Sequence, residues 1–195
     1  MAKSKKYRPI IETARDLFMR HGIRRVSVEE ICQTAGVSKM TFYKYFENKI
    51  DLAILILEEI FHEGEERYKG IMAQDIPYSE KAKEIIKMKL EQSEDVSQEM
   101  LKDLIHSSIP EVAEFLHRKT QENLKLFLDD LVSAQKKGEI RQDINPQFIL
   151  YFLNLMTEMV VDERLLNLHE SPQALTAELI NFFFYGILTR KSEEE

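Results

Sequence analysis

Ile10, Ile11, Ala14, Leu17 and Phe18 recur at three- and four-residue steps, so they share one face of a helix predicted over about 9–21. Gly22 follows, where a helix end wants a left-handed residue. Ser27 and Glu30 form an S-x-x-E capping box, which satisfies free amides at the start of a second helix. Ile31 and Ala35 face inward from that helix, and Gly36 supplies a turn. Ser38 caps a third helix over about 39–45, with Phe42 and Phe46, four apart, as core anchors.

The helical period continues to the end of the chain. A helix over about 49–70 opens at Asn48 and Asp51. Its early part, Leu52 to Leu57, is apolar nearly all round, as in a helix covered on most sides, and it reads as a post joining head and body. Further helices are predicted over about 79–92, after Pro77, and over 97–107. Ser108-Ile-Pro-Glu111 is a second capping box with proline in the first turn. The long helix it opens carries Val112, Leu116, Leu124, Phe127, Leu131 and Val132 on one stripe, and ends at Lys136-Lys137-Gly138. Asn145-Pro146 and Ser171-Pro172 open the last two helices, to about 167 and 190. No strand alternation appears. The pattern predicts an all-α fold of about nine helices: a three-helix head over 1–50 and a helical body over 51–195.

Composition sharpens this division. Gly (6) and Pro (5) are scarce, which favours long helices. The net charge of −7 conceals a basic head, with 11 Lys/Arg against 5 Asp/Glu in residues 1–50, and an acidic body, with 16 against 29. That asymmetry is expected of a nucleic-acid binder. One cysteine allows no internal disulfide. The basic start is not followed by an apolar run, and no segment is apolar enough to span a membrane, so a cytoplasmic protein without a membrane partner is expected. The body carries no nucleotide-binding or hydrolase motif. Of five scattered histidines, His62 pairs with Glu66 at four-residue spacing, a solvated face more often than a metal site. Cys32 reads as a small core residue. No enzyme activity, cofactor or metal is expected.

The chemistry of the head is that of a helix-turn-helix. B-form DNA admits one α-helix in its major groove, and this motif places its second helix there. The predicted third helix presents Ser38 and Thr41 hydroxyls, the Lys39 charge, and Tyr43 and Tyr45, which combine a flat face with a hydroxyl. Lys44 and Lys49 sit within reach of phosphate. The start of the preceding helix offers the amides of Ser27 and Val28 as an anion site. Lys3, Lys5, Lys6 and Arg8 form a basic arm, and Arg24 and Arg25 a basic loop.

These positions closely resemble the N-terminal domain of TetR-family transcriptional repressors over residues 10–57. The likeness is carried by Ala14, Leu17-Phe18, Gly22, Ser27-Val28, Ile31, Ala35-Gly36-Val37-Ser38-Lys39, Thr41-Phe42-Tyr43, Phe46, Lys49 and Leu52. The resemblance implies that Ser38, Lys39, Thr41, Tyr43, Tyr45 and Lys49 face DNA. Three positions depart from the family pattern. Met40 stands where many relatives have Gly and offers an apolar side chain, suited to a thymine methyl. Tyr45 stands where many have His, and Val28 replaces a hydroxyl residue of some members.

The resemblance also implies a ligand pocket among the middle helices and a homodimer made by the last two. Leu150, Leu153 and Thr157 on one helix, and Leu179, Phe182, Phe183 and Ile187 on the next, are either dimer surface or core. A twofold four-helix bundle would cover them. Met88, Met100, Phe115, Phe127, Phe152 and Met156, with Met72, suit either an apolar or amphipathic ligand or an ordinary core. The expected function is a sequence-specific DNA-binding regulator, a repressor that an unidentified small-molecule inducer releases from a palindromic double-stranded operator. The alternative is a DNA-binding regulator controlled by a protein partner, or without a small inducer.

Overall fold

Polar caps and glycine stops divide the chain into helices whose limits follow from local chemistry. The computed structural model describes residues 6–94 and 96–188. Ten helices lie among them: α1 (Tyr7–His21), α2 (Val28–Thr34), α3 (Lys39–Phe42), α4 (Lys49–Met72), α5 (Tyr78–Ser93), α6 (Gln98–Ile105), α7 (Pro110–Lys136), α8 (Pro146–Met159), α9 (Glu163–Leu166) and α10 (Pro172–Ile187). The Ser27, Ser38, Ser97 and Ser171 hydroxyls each accept the backbone N–H three residues on, which satisfies a donor the helix start leaves open. Asn145 and Asp162 cap α8 and α9 through the N–H two residues on. No strand occurs among the described residues; an isolated bridge joins Ile140 and Leu188.

Two boundaries differ from the sequence expectation. The helix predicted over 146–167 is two helices. It stops at Met159, and Asp162 opens α9 by accepting from the Arg164 N–H at 2.8 Å. Arg164 in turn donates to the Asp162 carboxylate, which lowers the Asp162 pKa to about 2. A short acid that bonds its own neighbouring backbone competes with helix continuation. The third helix closes as α-helix at Phe42, and the chain continues in tighter turns, Lys44 N–H to Thr41 O and Tyr45 N–H to Phe42 O. The predicted end of the last helix at Arg190 lies outside the described residues, as do Lys3 and Lys5.

The described residues fall into two compact units, one within Met1–Gly64 and Asp95–Lys119, the other within Glu65–Glu94 and Thr120–Glu195. The first therefore extends past the 1–50 expected of the head. It takes in the first part of α4, α6 and the start of α7. The reason is packing: Leu52, Ala53, Ile56 and Leu57 of α4, Met100 of α6, and Val112, Phe115 and Leu116 of α7 share one apolar cluster with α1, α2 and α3. Gly22, at φ +78°, lets this happen at the end of α1. A side-chain carbon there would meet Asp103 of α6 at 2.8 Å.

The second unit has its own core. Tyr78, Ile85 and Met88 of α5, Leu131 of α7, Ile149 and Met156 of α8, and Leu175, Leu179, Phe183, Phe184 and Ile187 of α10 are buried together. The Tyr68 hydroxyl donates to Asp130 at 2.8 Å, and burial with that carboxylate drives its pKa up.

His169, just after α9, bonds the Leu165 carbonyl through Nδ1 and Glu178 of α10 through Nε2, each at 2.8 Å. Both partners are acceptors, so the doubly protonated ring is favoured, and the Leu165 carbonyl, then Glu178, raise its pKa. A raised folded-state pKa stabilises the fold below the unfolded value of about 6.5 and loses that contribution as pH rises through the folded value. His169→Gln should therefore lower the melting temperature clearly at pH 6 and little at pH 8.5. An equal loss at both would refute the charged assignment.

Candidate nucleic-acid interface

The first unit presents α3 on a platform built from α1, α2 and α4. Phe42 is fully buried and Phe46 nearly so, their rings 5.4 Å apart. Tyr7 of α1 stacks on Phe46 at 5.6 Å and meets the edge of Tyr45 at 5.4 Å. Aromatic pairs at such distances hold a short helix that has few backbone bonds of its own. The turn from α2 to α3 passes through Gly36 at φ +64°, a conformation that favours glycine.

From this platform the predicted residues separate into three groups. Met40 is 73% exposed and Tyr43 56%, and Lys44 is exposed beside them. Ser38 and Lys39 are also exposed, but each is already engaged. The Ser38 hydroxyl caps Thr41 and shares a 2.9 Å hydrogen bond with the Thr41 hydroxyl. The Lys39 ammonium donates to Glu29 of α2 at 2.9 Å, which raises its pKa. Ser27 is exposed and caps α2, while Val28 and Thr41 are partly buried. Tyr45 is partly buried against Tyr7 and Phe46, so it presents less of its ring than Tyr43. Arg24 and Arg25 are exposed on the loop after α1, and Arg8 reaches Glu59 at 3.7 Å.

Lys49 stands apart. Its ammonium turns inward and donates to three loop carbonyls: Ile23 at 2.7 Å, Arg24 at 3.1 Å and Val26 at 2.7 Å. Burial pulls its pKa down, against the opposing pull of Asp103. Three donors on three acceptors fill the capacity of an ammonium, so this arrangement leaves Lys49 no donor for a phosphate. Its work here is to fix the loop from which α2 starts. Asp103 of α6 holds the same loop from its other side by accepting the Arg24 N–H at 3.1 Å, and the Ser97 N–H bonds the Met19 carbonyl.

The sets proposed for the body also divide. Met100 and Phe115 belong to the core of the first unit, and Met88, Phe127, Phe152 and Met156 to the apolar cluster of the second. The six do not form one apolar cluster, because α6 and the start of α7 pack with α1 and α4. Among the residues expected at a dimer face, Leu179, Phe183 and Ile187 are buried in the core of the second unit, which makes them its own packing. Leu150 and Leu153 are partly buried and Thr157 is exposed. Phe182 is 71% exposed. It joins a surface that the sequence reading missed: Phe148, Tyr151 and Leu155 on α8, and Tyr185 on α10. The rings of Phe148 and Phe152, then Phe152 and Phe182, lie 6.2 and 6.5 Å apart, so the two helices share one apolar strip. The three- and four-residue spacing of 148, 151 and 155 was the available signal.

A lysine that ties three carbonyls should matter for folding. Lys49→Met is expected to lower unfolding free energy by about 1.5–3 kcal/mol, the usual range for charged hydrogen bonds, in a denaturant titration. Unchanged stability would show that the loop holds itself.

With this geometry in place, comparison with known proteins is informative. The family model for bacterial regulatory proteins of the tetR family matches residues 10–56. The chain is 28% identical to the HTH-type transcriptional regulator RutR of Escherichia coli over 164 residues, 83% of this chain and 76% of RutR. Among solved structures, a transcriptional regulator from Saccharomonospora viridis in complex with choline superposes with a TM-score of 0.76 at 18% identity, over 96% of this chain and all of that one. FadR of Bacillus subtilis in complex with stearoyl-CoA gives 0.71 at 20%, over 93% of this chain and 99% of that one. These two show the fold. Through its head, matched from residue 10 to residue 56, the chain is similar to the TetR family of bacterial regulatory proteins.

Proposed function

We propose that this protein is a repressor that binds a palindromic DNA operator as a homodimer and is released by a small apolar or amphipathic ligand. The observation that carries the DNA-binding reading is the outward face of α3 and of the turn that follows it, where Met40, Tyr43 and Lys44 stand exposed on a segment anchored by buried aromatics. That face supplies a hydroxyl, a cation and an apolar contact, the three kinds of group that meet base edges, phosphates and thymine methyls. Ser38, Lys39 and Thr41 line its first turn, with the start of α2 at Ser27 and Val28 beside it.

The dimer reading rests on Phe148, Tyr151, Leu155, Phe182 and Tyr185. A contiguous aromatic face left in water is the mark of a contact surface. Two copies of α8 and α10 would cover it by twofold symmetry, and half-sites one turn of DNA apart need reading helices about 34–36 Å apart or a multiple of this. Release by ligand follows if the ligand prefers a spacing that the operator does not match. α4 contributes residues to both units, and α6 bonds the loop ahead of α2. These two helices are the proposed carriers of that change. The stearoyl-CoA and choline complexes of the two structural neighbours support a ligand-binding body.

Selection of binding fragments from genomic DNA, followed by footprinting, supplies the operator. A good base contact is worth about 1–3 kcal/mol, so Tyr43→Ala should weaken operator binding about 5- to 150-fold while the dimer persists. Unchanged affinity would overturn the placement of α3. Phe182→Glu should yield a monomer in sedimentation and lose operator binding; a dimer that survives it places the interface elsewhere.

A further inference from the structure

The exposed aromatic line of α10 includes a carboxylate, and a titratable ring holds it. Glu178, Phe182 and Tyr185 follow at four- and three-residue steps, so they lie in one line along the helix. All three are exposed. Glu178 accepts from His169 Nε2, and His169 Nδ1 meets the Leu165 carbonyl, each at 2.8 Å. The His169 side chain is mostly covered, while that of Glu178 is mostly open to water. From the α9 side the ring meets a carbonyl, and from α10 a carboxylate. Glu178 is the charged side chain that acts on the ring, since the nearby Asp162 and Arg164 pair with each other. Both bonds require a donor on the ring. A neutral imidazole has a single N–H, so it keeps only one of them. The carbonyl bond is partly buried and the carboxylate bond is exposed. Water can therefore take the place of the ring at Glu178 more cheaply than at Leu165, and the neutral ring releases the carboxylate.

We infer that His169 makes self-association through the α8–α10 face depend on protons: the charged ring keeps Glu178 paired within that face, and the neutral ring leaves it there as a bare anion. In the separate protomer, water serves the released carboxylate. Between two copies of the face that water is stripped away, and burying an unpaired carboxylate is costly. The assembly therefore holds the His169 proton more tightly than the protomer does. Its extra stability is fully present below the protomer's His169 value and is lost as pH rises through the assembly's higher one. The raised His169 pKa places that window above the ordinary histidine value. The inference rests on the dimer reading above and adds to it a regulator, the proton.

The test is a dilution series of the full-length protein without DNA, at fixed ionic strength. The dimer dissociation constant is read by sedimentation at pH 6 and pH 8.5, and circular dichroism checks that each sample is folded. Two charge-assisted pairs per assembly should make the parent's constant rise about tenfold or more between the two conditions. Glu178→Gln should remove the rise and associate more tightly than the parent at pH 8.5. Its amide donates to Nε2 of the neutral ring while Nδ1–H serves Leu165, so no charge is released. His169→Gln should also give a flat profile. A parent constant that does not move, or a rise that persists in either variant, would overturn the switch. Phe182→Glu separates this from failure of the dimer reading. If the parent is a dimer that Phe182→Glu dissociates, a flat parent profile refutes the switch alone. A parent that is monomeric at both pH values, or a dimer that survives Phe182→Glu, refutes the dimer reading and the switch with it.

Discussion

The first unit depends on one ammonium. Lys49 begins α4, and from there it gathers the carbonyls of Ile23, Arg24 and Val26. Those residues lead out of α1 and into α2, so the lysine fixes the corner from which the helix-turn-helix is suspended. The partly buried carbonyls have no helix or sheet to satisfy them. Asp103 and the tight approach at Gly22 close the same corner from α6. The orientation of α3 is thus set by bonds to a loop as well as by its own aromatic anchors.

This corner also shows what a sequence discloses and what it withholds. Helix starts were legible because capping is local: Ser27, Ser38, Asn145 and Ser171 each act on an amide two or three residues away. The anchors Phe42 and Phe46 were legible from their spacing. Asp162 is the same chemistry and was overlooked because it lies inside an apolar run that looked continuous. The inward turn of Lys49 was out of reach, since its partners lie 23 to 26 residues earlier and meet it only in the folded unit. The exposed face of α10 was only partly legible: Phe182 was named from the sequence, but so were Phe183 and Ile187, which are buried. Phe182, Phe183, Phe184 and Tyr185 follow one another, and a helix apolar all round does not announce which side is inward. Of the residues expected to face DNA, Met40, Tyr43 and Lys44 are exposed, whereas Tyr45 and Thr41 are half taken up by packing and capping.

The two units treat their polar groups differently. In the first, the groups near the core are answered: the loop carbonyls by Lys49, the Arg24 amide by Asp103, and Arg15 by Glu63 through two hydrogen bonds across α1 and α4. In the second, Tyr68 finds Asp130, but the buried Tyr78 hydroxyl is left unmet. A satisfied interior favours a single arrangement, and an unsatisfied one is open to change when a partner arrives.

The ion pair between Lys39 and Glu29 has a consequence for selectivity. On the proposed reading, in which Lys39 faces DNA, the Glu29 carboxylate competes with phosphate for its ammonium, so a polyanion that recruits this lysine must first displace an internal competitor. Random duplex offers little beyond charge to offset that displacement, while a matched site adds contacts from the neighbouring side chains. A built-in rival of this kind penalises indiscriminate sticking more than cognate docking, and so widens the gap between the two without adding a single new contact.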